Sequence, residues 1–244
     1  MKNVILNVLD NIKISEDIYL LKLTGDLKEI KNPGEFVNLR VEKFYLRRPI
    51  SVFDFNENEV DLLYKIVGQG TKAMKQIKSG DEVEVLVGLG NGFLDLNYKN
   101  PLLIAGGIGI APMFNLAKKI NELGVKPTLI YGGQSKKDIV LIEEFEKITN
   151  LIITTDDGSL GYKGNPVTYL KNNEIKYDKY YACGPLIMLK FLKEFDDNGY
   201  LSLEARMGCG FGACMGCSIK TTKGFKRVCK EGPIFEASEV IFDE

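Results

Sequence analysis

At 244 residues, with 45% hydrophobic and 27% charged residues, the chain has an ordinary globular composition and room for two domains and a small appendage. Its 32 basic and 33 acidic residues leave a net charge of −1, which gives no electrostatic ground for a nucleic-acid partner or an anionic membrane surface. Histidine, the commonest general base and metal ligand, is absent, which weighs against hydrolases and zinc enzymes but leaves hydride and electron transfer open.

The N-terminus is apolar only in short pieces broken by Asp10, Lys13 and Glu16, so neither a signal nor a transit peptide is expected and the expected location is the cytoplasm. The longest nearly uncharged apolar run, residues 101–114, carries three glycines and two prolines. It falls short of the ~20 residues of a spanning helix. It reads as a buried strand and its turn, and no membrane partner is expected.

Up to about residue 96 the pattern is short β-type runs, at 18–23, 36–41, 60–67 and 82–87, punctuated by the turn signals Asn32-Pro33-Gly34 and Ser79-Gly80-Asp81. This spacing predicts an antiparallel barrel with one short helix over 71–77. Two motifs stand out. In Arg47-Arg48-Pro49-Ile50-Ser51 the proline keeps the segment extended, offering a guanidinium for a phosphate and a nearby hydroxyl; a surface arginine pair before a strand reads equally well from the motif alone. In the second, 64–71, a strand turns through Gly68 and Gly70 into a helix start with Thr71 as its cap, which is either an anion site or a plain glycine turn.

From about residue 97 to 199, apolar runs alternate with helical stretches, the pattern of a parallel sheet of βα units. The strand 102–105 leads into Gly106-Gly107-Ile108-Gly109-Ile110-Ala111-Pro112, and Met113, Leu116, Ala117, Ile120 and Leu123 then recur at helical spacing until Gly124. Glycines between a strand and a helix start suit a dinucleotide pyrophosphate, although Pro112 stands where the G-x-G-x-x-G pattern has its third glycine and the next strand, 128–133, ends without an acid. A variant dinucleotide site and a tight turn both remain open here. Strands at 151–155 and 179–182 lead into Asp156-Asp157-Gly158 and Cys183-Gly184-Pro185, on the side where such sheets place ligands. Cys183 is positioned to face a nicotinamide or to serve as a small buried apolar residue. The helix over 186–195, apolar at Ile187, Leu189, Phe191 and Leu192, is expected to pack on the sheet, and Lys136-Lys137 reads as a solvated face, though one near where an adenosine 2′-phosphate would be read.

Four of the five cysteines lie near the C-terminus: Cys209, Cys214, Cys217 and, after eleven residues, Cys229. The spacing C-x4-C-x2-C with a distant fourth cysteine is that of plant-type 2Fe-2S ferredoxins, and the interleaved Gly208, Gly210, Gly212 and Gly216 are expected to let the loop adopt φ > 0 and curl around a cluster. Structural zinc sites draw on two close-spaced pairs, and this chain has one such pair.

Arg48-Pro49-Ile50-Ser51, Gly70-Thr71, the 106–112 loop and Cys183-Gly184-Pro185, in this order and at these separations, resemble the ferredoxin-NADP reductase family over residues 1 to about 200. With the cysteine loop added, the whole chain resembles the electron-transfer subunits of class 1B dihydroorotate dehydrogenase. The resemblance implies an FAD-binding β-barrel (1–98), a parallel-sheet NAD-binding α/β domain (99–200) and a 2Fe-2S module (201–244). It implies that Arg48 binds the FAD pyrophosphate, with Pro49 and Ile50 beside it, that Ser51 hydrogen-bonds near flavin N5, and that Leu63, Tyr64 and Lys65 contact the isoalloxazine. Gly70 and Thr71 would meet the phosphates, Gly106, Gly107, Gly109, Pro112, Cys183, Gly184 and Pro185 would meet NAD, and the four cysteines of the loop would ligate iron. Ser51 and Cys183 are the implied catalytic residues.

Further implications are an FMN-containing dihydroorotate dehydrogenase partner, a heterotetramer with two subunits of each kind, and a place in pyrimidine biosynthesis. Two other readings remain open: a reductase subunit of the same build serving a ferredoxin, hydrogenase or sulfur-reducing partner, and a non-catalytic zinc or redox-sensing nucleotide-binding module.

Overall fold

The computed structural model describes residues 1–242. Its first sheet holds β1 (Lys2–Lys13), β2 (Ile18–Thr24), β3 (Phe36–Leu39), β4 (Arg48–Ser51), β5 (Asp54–Phe55), β6 (Glu59–Lys65) and β7 (Glu82–Leu89). They lie in the order β4-β3-β7-β1-β2-β6-β5, every neighbouring pair antiparallel. Alternate residues of β1 and β7, among them Val4, Leu6, Val8, Val83, Val85 and Val87, point into a shared core with Leu21, Leu23 and Leu39. The sheet curls until β4 comes close to β6, yet no ladder joins the two, so the barrel keeps an open seam there.

The expected helix over 71–77 is shorter and earlier, α1 (Gln69–Met74), followed by a tight turn through Ile77. Asn11 of β1 ends it by donating to the carbonyls of Met74 and Ile77, each at 3.0 Å.

The second sheet holds β8 (Pro101–Gly106), β9 (Thr128–Gly133), β10 (Asn150–Thr155), β11 (Tyr162–Lys163), β12 (Lys179–Cys183), β13 (Gly199–Ser202) and, after a separate hairpin of β14 (Ser218–Thr221) and β15 (Gly224–Arg227), β16 (Ile234–Glu236). The order is β11-β10-β9-β8-β12-β13-β16, parallel except for β16, which returns antiparallel to β13. The expected parallel sheet thus gains one antiparallel edge strand, and that strand comes from beyond the cysteine loop.

Successive residues of β8 and β9 face opposite helix layers. Leu103, Ala105, Leu129 and Tyr131 meet α2 (Ala111–Glu122) and α3 (Ile142–Ile148). Leu102, Ile104 and Ile130 meet α4 (Pro166–Asn172) and α5 (Leu186–Phe195). On α5, Leu189 and Leu192 pack on the sheet as expected and Met188 joins them, but Ile187 and Phe191 are 60% and 49% exposed. Ile187 and Phe191 instead line a cleft. No helix among the described residues is long and apolar enough to cross a membrane.

The barrel and the second sheet share one core. Phe53, just after β4, stacks on Phe114 of α2 with ring centroids 4.4 Å apart, and its carbonyl accepts from Asn115 N at 3.1 Å. Asp54 accepts from Asn115 Nδ2 at 2.8 Å and from Lys118 Nζ at 2.6 Å. The C-terminal segment is tied to the end of β7 by Asn91, whose amide donates to the carbonyls of Glu231 and Ile234 and accepts from Ile234 N.

Candidate functional site

Three features meet where the barrel, the second sheet and the cysteine loop adjoin. The first is the seam. β4 is paired only with β3, and β6 beyond Asp61 only with β2, so both strands turn a free edge of backbone donors and acceptors toward the gap. The guanidinium of Arg48 lies against the start of α1, where a Cβ on Gly70 would sit 1.8 Å from Arg48 Nε and would push the guanidinium aside. Among the described residues Arg48 meets no carboxylate; it donates to the Leu46 carbonyl at 2.6 Å and stacks over Phe44. Arg47 is different, bound to Glu84 and Asn3 as part of the barrel wall.

Thr71 is a cap of a different kind from the one expected. The N-cap is Gly68, and Thr71, three residues into the helix, reaches back to accept from Val67 N at 2.9 Å and Gly68 N at 3.2 Å. The side chains of Leu63 and Tyr64 are buried, Tyr64 with its hydroxyl on Asn11. Any contact they make in the seam is therefore through their backbone. Pro49, Ile50 and Ser51 are half-buried on β4, with Ile50 packed against the barrel core.

The second feature is a cleft of about 910 Å³ along the carboxyl ends of β12, β8, β9 and β10. It brings together Lys65, Gly106, Gly107, Gly109, Gly184 and Pro185 from the sequence motifs. Pro112 is buried in the first turn of α2 and does not line it. Gly107 takes φ +54, while Gly109 is pressed on the next loop, a Cβ there lying 2.4 Å from the Cys183 carbonyl oxygen.

Cys183 is 2% exposed beneath the cleft, and burial, with the Glu204 charge, pushes its thiol up to about 12. Glu204 lines the cleft two residues beyond β13; its surface is open, yet desolvation by the surrounding protein raises its carboxyl pKa. The sequence gives Glu204 no role, because only the β12–β13 pairing, Cys183 opposite Ser202, brings it to this place.

At the far end, Lys136 and Lys137 are exposed and do not line the cleft. Asp138 and Asp156 do, so carboxylates rather than the lysine pair line this end of the cleft. Asp138 is held by Lys65 Nζ at 3.2 Å and Ser135 N at 3.1 Å, whereas the Asp156 side chain has no partner among the described residues.

The third feature is the cysteine loop. Cys217 and Cys229 are buried with sulfurs 3.3 Å apart, and Cys209 lies beside Cys214 at the solvent face. The thiols thus form two pairs, and no three potential ligands converge on one point among the described residues. A tetrahedral zinc site wants four donors around one ion, whereas a binuclear cluster wants two thiolates at each iron, so this donor set fits 2Fe-2S.

Burial works against the Cys209 thiolate, but N–H groups of Phe211, Cys214 and Ala213 aimed at its sulfur outweigh it and bring the thiol down to about 6. Burial and the Cys217 sulfur push Cys229 up to about 12, a balance that a bound cation reverses. Of the four glycines expected at positive φ, Gly210 (+78°) and Gly212 (+93°) adopt it, and the third such turn is Met215 (+60°). A Cβ on Gly208 would lie a tight 3.2 Å from Cys214 Sγ, whereas one on Gly216, at 3.5 Å from the same sulfur, would make an ordinary contact. Arg227 steadies the loop by donating to the Gly212 carbonyl while paired with Glu231.

This loop rests on the barrel: Asn38 Nδ2 of β3 donates to the Cys209 carbonyl at 3.2 Å.

Comparison with known proteins fits the three features. Residues 204–241 match the iron-sulfur cluster binding domain of dihydroorotate dehydrogenase B, and residues 103–194 match the oxidoreductase NAD-binding domain. Over 95% of both chains, the sequence is 42% identical to the dihydroorotate dehydrogenase B (NAD(+)) electron transfer subunit of Fusobacterium nucleatum. The chain belongs to the family of dihydroorotate dehydrogenase B electron transfer subunits. The subunit of the same name from Bacillus pumilus is 37% identical over 98% of both chains. A solved chain from an NADH-dependent reduced ferredoxin-NADP oxidoreductase, described for flavin-based electron bifurcation, superposes with TM-score 0.88 at 31% identity, covering 98% of this chain and 90% of its own. Phthalate dioxygenase reductase shares the fold, with TM-score 0.68 at 18% identity over 92% of this chain and 76% of its own.

Proposed function

We propose that this chain carries electrons between a dihydroorotate-oxidising catalytic subunit and NAD+, using FAD at the β4/β6 seam, a 2Fe-2S cluster on Cys209, Cys214, Cys217 and Cys229, and NAD in the cleft. When bound, FAD exchanges a hydride with NAD and single electrons with the cluster. The observation that carries the reading is the docking of the cysteine loop on β3, the strand paired with β4, which supports a cluster beside a flavin.

The chain's own residues have distinct tasks. Arg48 and the backbone around Gly70 and Thr71 take the pyrophosphate, and the free edges of β4 and β6, with Ser51, take the polar edge of the flavin ring. Gly106, Gly107 and Gly109 let the dinucleotide approach the sheet. Cys183, neutral under the cleft with Gly184 and Pro185, shapes the nicotinamide end together with Glu204. The boundaries 1–98, 99–200 and 201–244 describe these units, with the last joint running through β13 rather than a linker. The cytoplasm fits a protein whose cluster thiolates need a reducing compartment.

The partner is an FMN-containing catalytic subunit in a heterotetramer with two subunits of each kind. Phe211 and Met215 are exposed on the cysteine loop and Phe225 on β15, apolar side chains that such a subunit would cover. Dihydroorotate oxidation by the isolated chain would contradict the assignment.

The reading is tested by anaerobic NADH titration of the purified chain under a visible spectrum. Bleaching of both flavin and cluster, complete only beyond one NADH per chain, is expected; a colourless zinc-binding protein overturns it.

The solved relative with TM-score 0.88 favours a second reading, a subunit of the same build serving a ferredoxin-linked enzyme. Pull-down with a dihydroorotate dehydrogenase catalytic subunit against a ferredoxin separates the two.

A further inference from the structure

Asn38 is the one polar side chain on β3, whose other residues are Phe36, Val37 and Leu39, and it is 1% exposed. A buried amide costs free energy unless its hydrogen bonds are made, so an apolar residue would be the cheaper occupant. Its Nδ2 donates to the Cys209 carbonyl at 3.2 Å, and its Oδ1 has no partner among the described residues. The contact is close-fitted from the other side as well. A Cβ on Gly210 would lie 2.3 Å from Asn38 Nδ2, and Gly210 is held at φ +78, so only glycine admits the amide there. In the strand pair, Asn38 lies opposite Pro49, one residue from both Arg48 and Ile50. The backbone is held too, Arg47 Nη1 reaching the Asn38 carbonyl at 3.4 Å.

We propose that Asn38 is a positioning residue for electron transfer, fixing the main chain of the ligand Cys209 against the strand pair that carries the flavin site. It thereby sets the pose of the cluster relative to the flavin. The inference rests on the reading of the four cysteines as cluster ligands. The amide bonds a carbonyl and not a sulfur, so it acts on the placement of Cys209 first and on the electron density at the iron second. Removing it leaves NADH-to-flavin hydride transfer unaffected, because the cleft residues are elsewhere, and slows the following step.

The test uses the full chain with its cofactors, as wild type, Asn38→Leu and Asn38→Ser. Iron and FAD content, the electron paramagnetic resonance spectrum of the reduced cluster, and stopped-flow rates of flavin and cluster bleaching after NADH are measured. In Asn38→Leu the expected result is an altered resonance spectrum and cluster bleaching slowed about 10-fold or more at an unchanged rate of flavin reduction. Asn38→Ser, which keeps a short donor, is expected to recover part of both. Wild-type spectrum and rate in Asn38→Leu overturn the proposal. Should Asn38→Leu fail to hold a cluster, Asn38→Ser decides, an altered spectrum and rate supporting the proposal and wild-type values overturning it. A wild-type chain without an iron-sulfur cluster overturns the underlying reading itself, which a cluster-bearing wild type with indifferent variants does not.

Discussion

Lys65 Nζ lies 3.2 Å from Asp138 Oδ1, joining barrel strand β6 to the turn after β9 along the lining of the nucleotide cleft. Asp17 lies 3.3 Å from the same ammonium. Desolvation opposes the lysine's charge, but the two carboxylates outweigh it and raise its pKa. Asp138→Asn is expected to cost about 1 kcal/mol in denaturant unfolding, the size of a partly exposed pair, with FAD content unchanged. Lys65→Met should cost a similar amount and also lower FAD content, since Lys65 borders the flavin seam. Equal FAD content in both variants would remove Lys65 from the flavin site.

Gly109 has no room for a side chain, because the atoms it would meet are the backbone of Cys183 and Gly184 at 2.4 to 2.7 Å. Backbone cannot turn aside as a flexible side chain can. Gly109→Ala is therefore expected to spread the two loops at a cost of about 1–3 kcal/mol. NADH-driven flavin bleaching should slow at least 10-fold with flavin and iron content near wild type. Gly124, with nothing within 4 Å of its Cβ position, is the control; its φ of +83 leaves only a backbone penalty for alanine, remote from the cleft.

The iron-sulfur module was legible because its four cysteines lie within 21 residues and their spacing alone points to a cluster. α5 was equally legible in extent, yet its faces were not. Helical spacing reports which residues are apolar, and Ile187 and Phe191 are apolar because they line a cleft, as Leu189 is because it packs on the sheet. Glu204 was hidden for another reason: no motif links it to its neighbour Cys183, and only the parallel pairing of β12 with β13 joins them. Likewise no local signal tells that Asn38, rather than a fourth apolar residue of β3, meets the cysteine loop.

Asp156 and the pair Lys136-Lys137 make opposite predictions about the coenzyme. Asp156 lines the β10 end of the cleft with a carboxylate that has no partner among the described residues, while Asp157 beside it is engaged by Ser159 N at 2.9 Å. A carboxylate accepts from a ribose 2′-hydroxyl and repels a 2′-phosphate. Asp156→Ser is expected to lower the NADH-over-NADPH preference in kcat/KM by about 10-fold, on the order of 1.4 kcal/mol. Lys136→Ala with Lys137→Ala should leave that ratio unchanged. A loss of NADPH use in the lysine variant alone would restore the basic pair as the reader of the phosphate.

Glu84 gives the barrel a defined acid limit. Hydrogen bonds from Arg40, Asn3 and Arg47 hold its carboxyl at about 2, below the ordinary glutamate value of 4.5. A depressed folded-state pKa means that the stabilisation is complete above the unfolded value and is lost as pH falls from 4.5 toward 2, where the folded carboxylate also takes up a proton. The Glu84 side chain is 22% exposed and that of Arg40 64%, so solvent screens much of the attraction, and on the order of 1 kcal/mol is expected. Glu84→Gln should therefore lower the melting temperature near neutral pH and show a shallower loss on acidification than the wild type. Parallel melting curves for the two proteins through this acid range would instead assign the limit to other carboxylates, with Glu231, held at about 2 by Arg227 under the cluster loop, the next to replace.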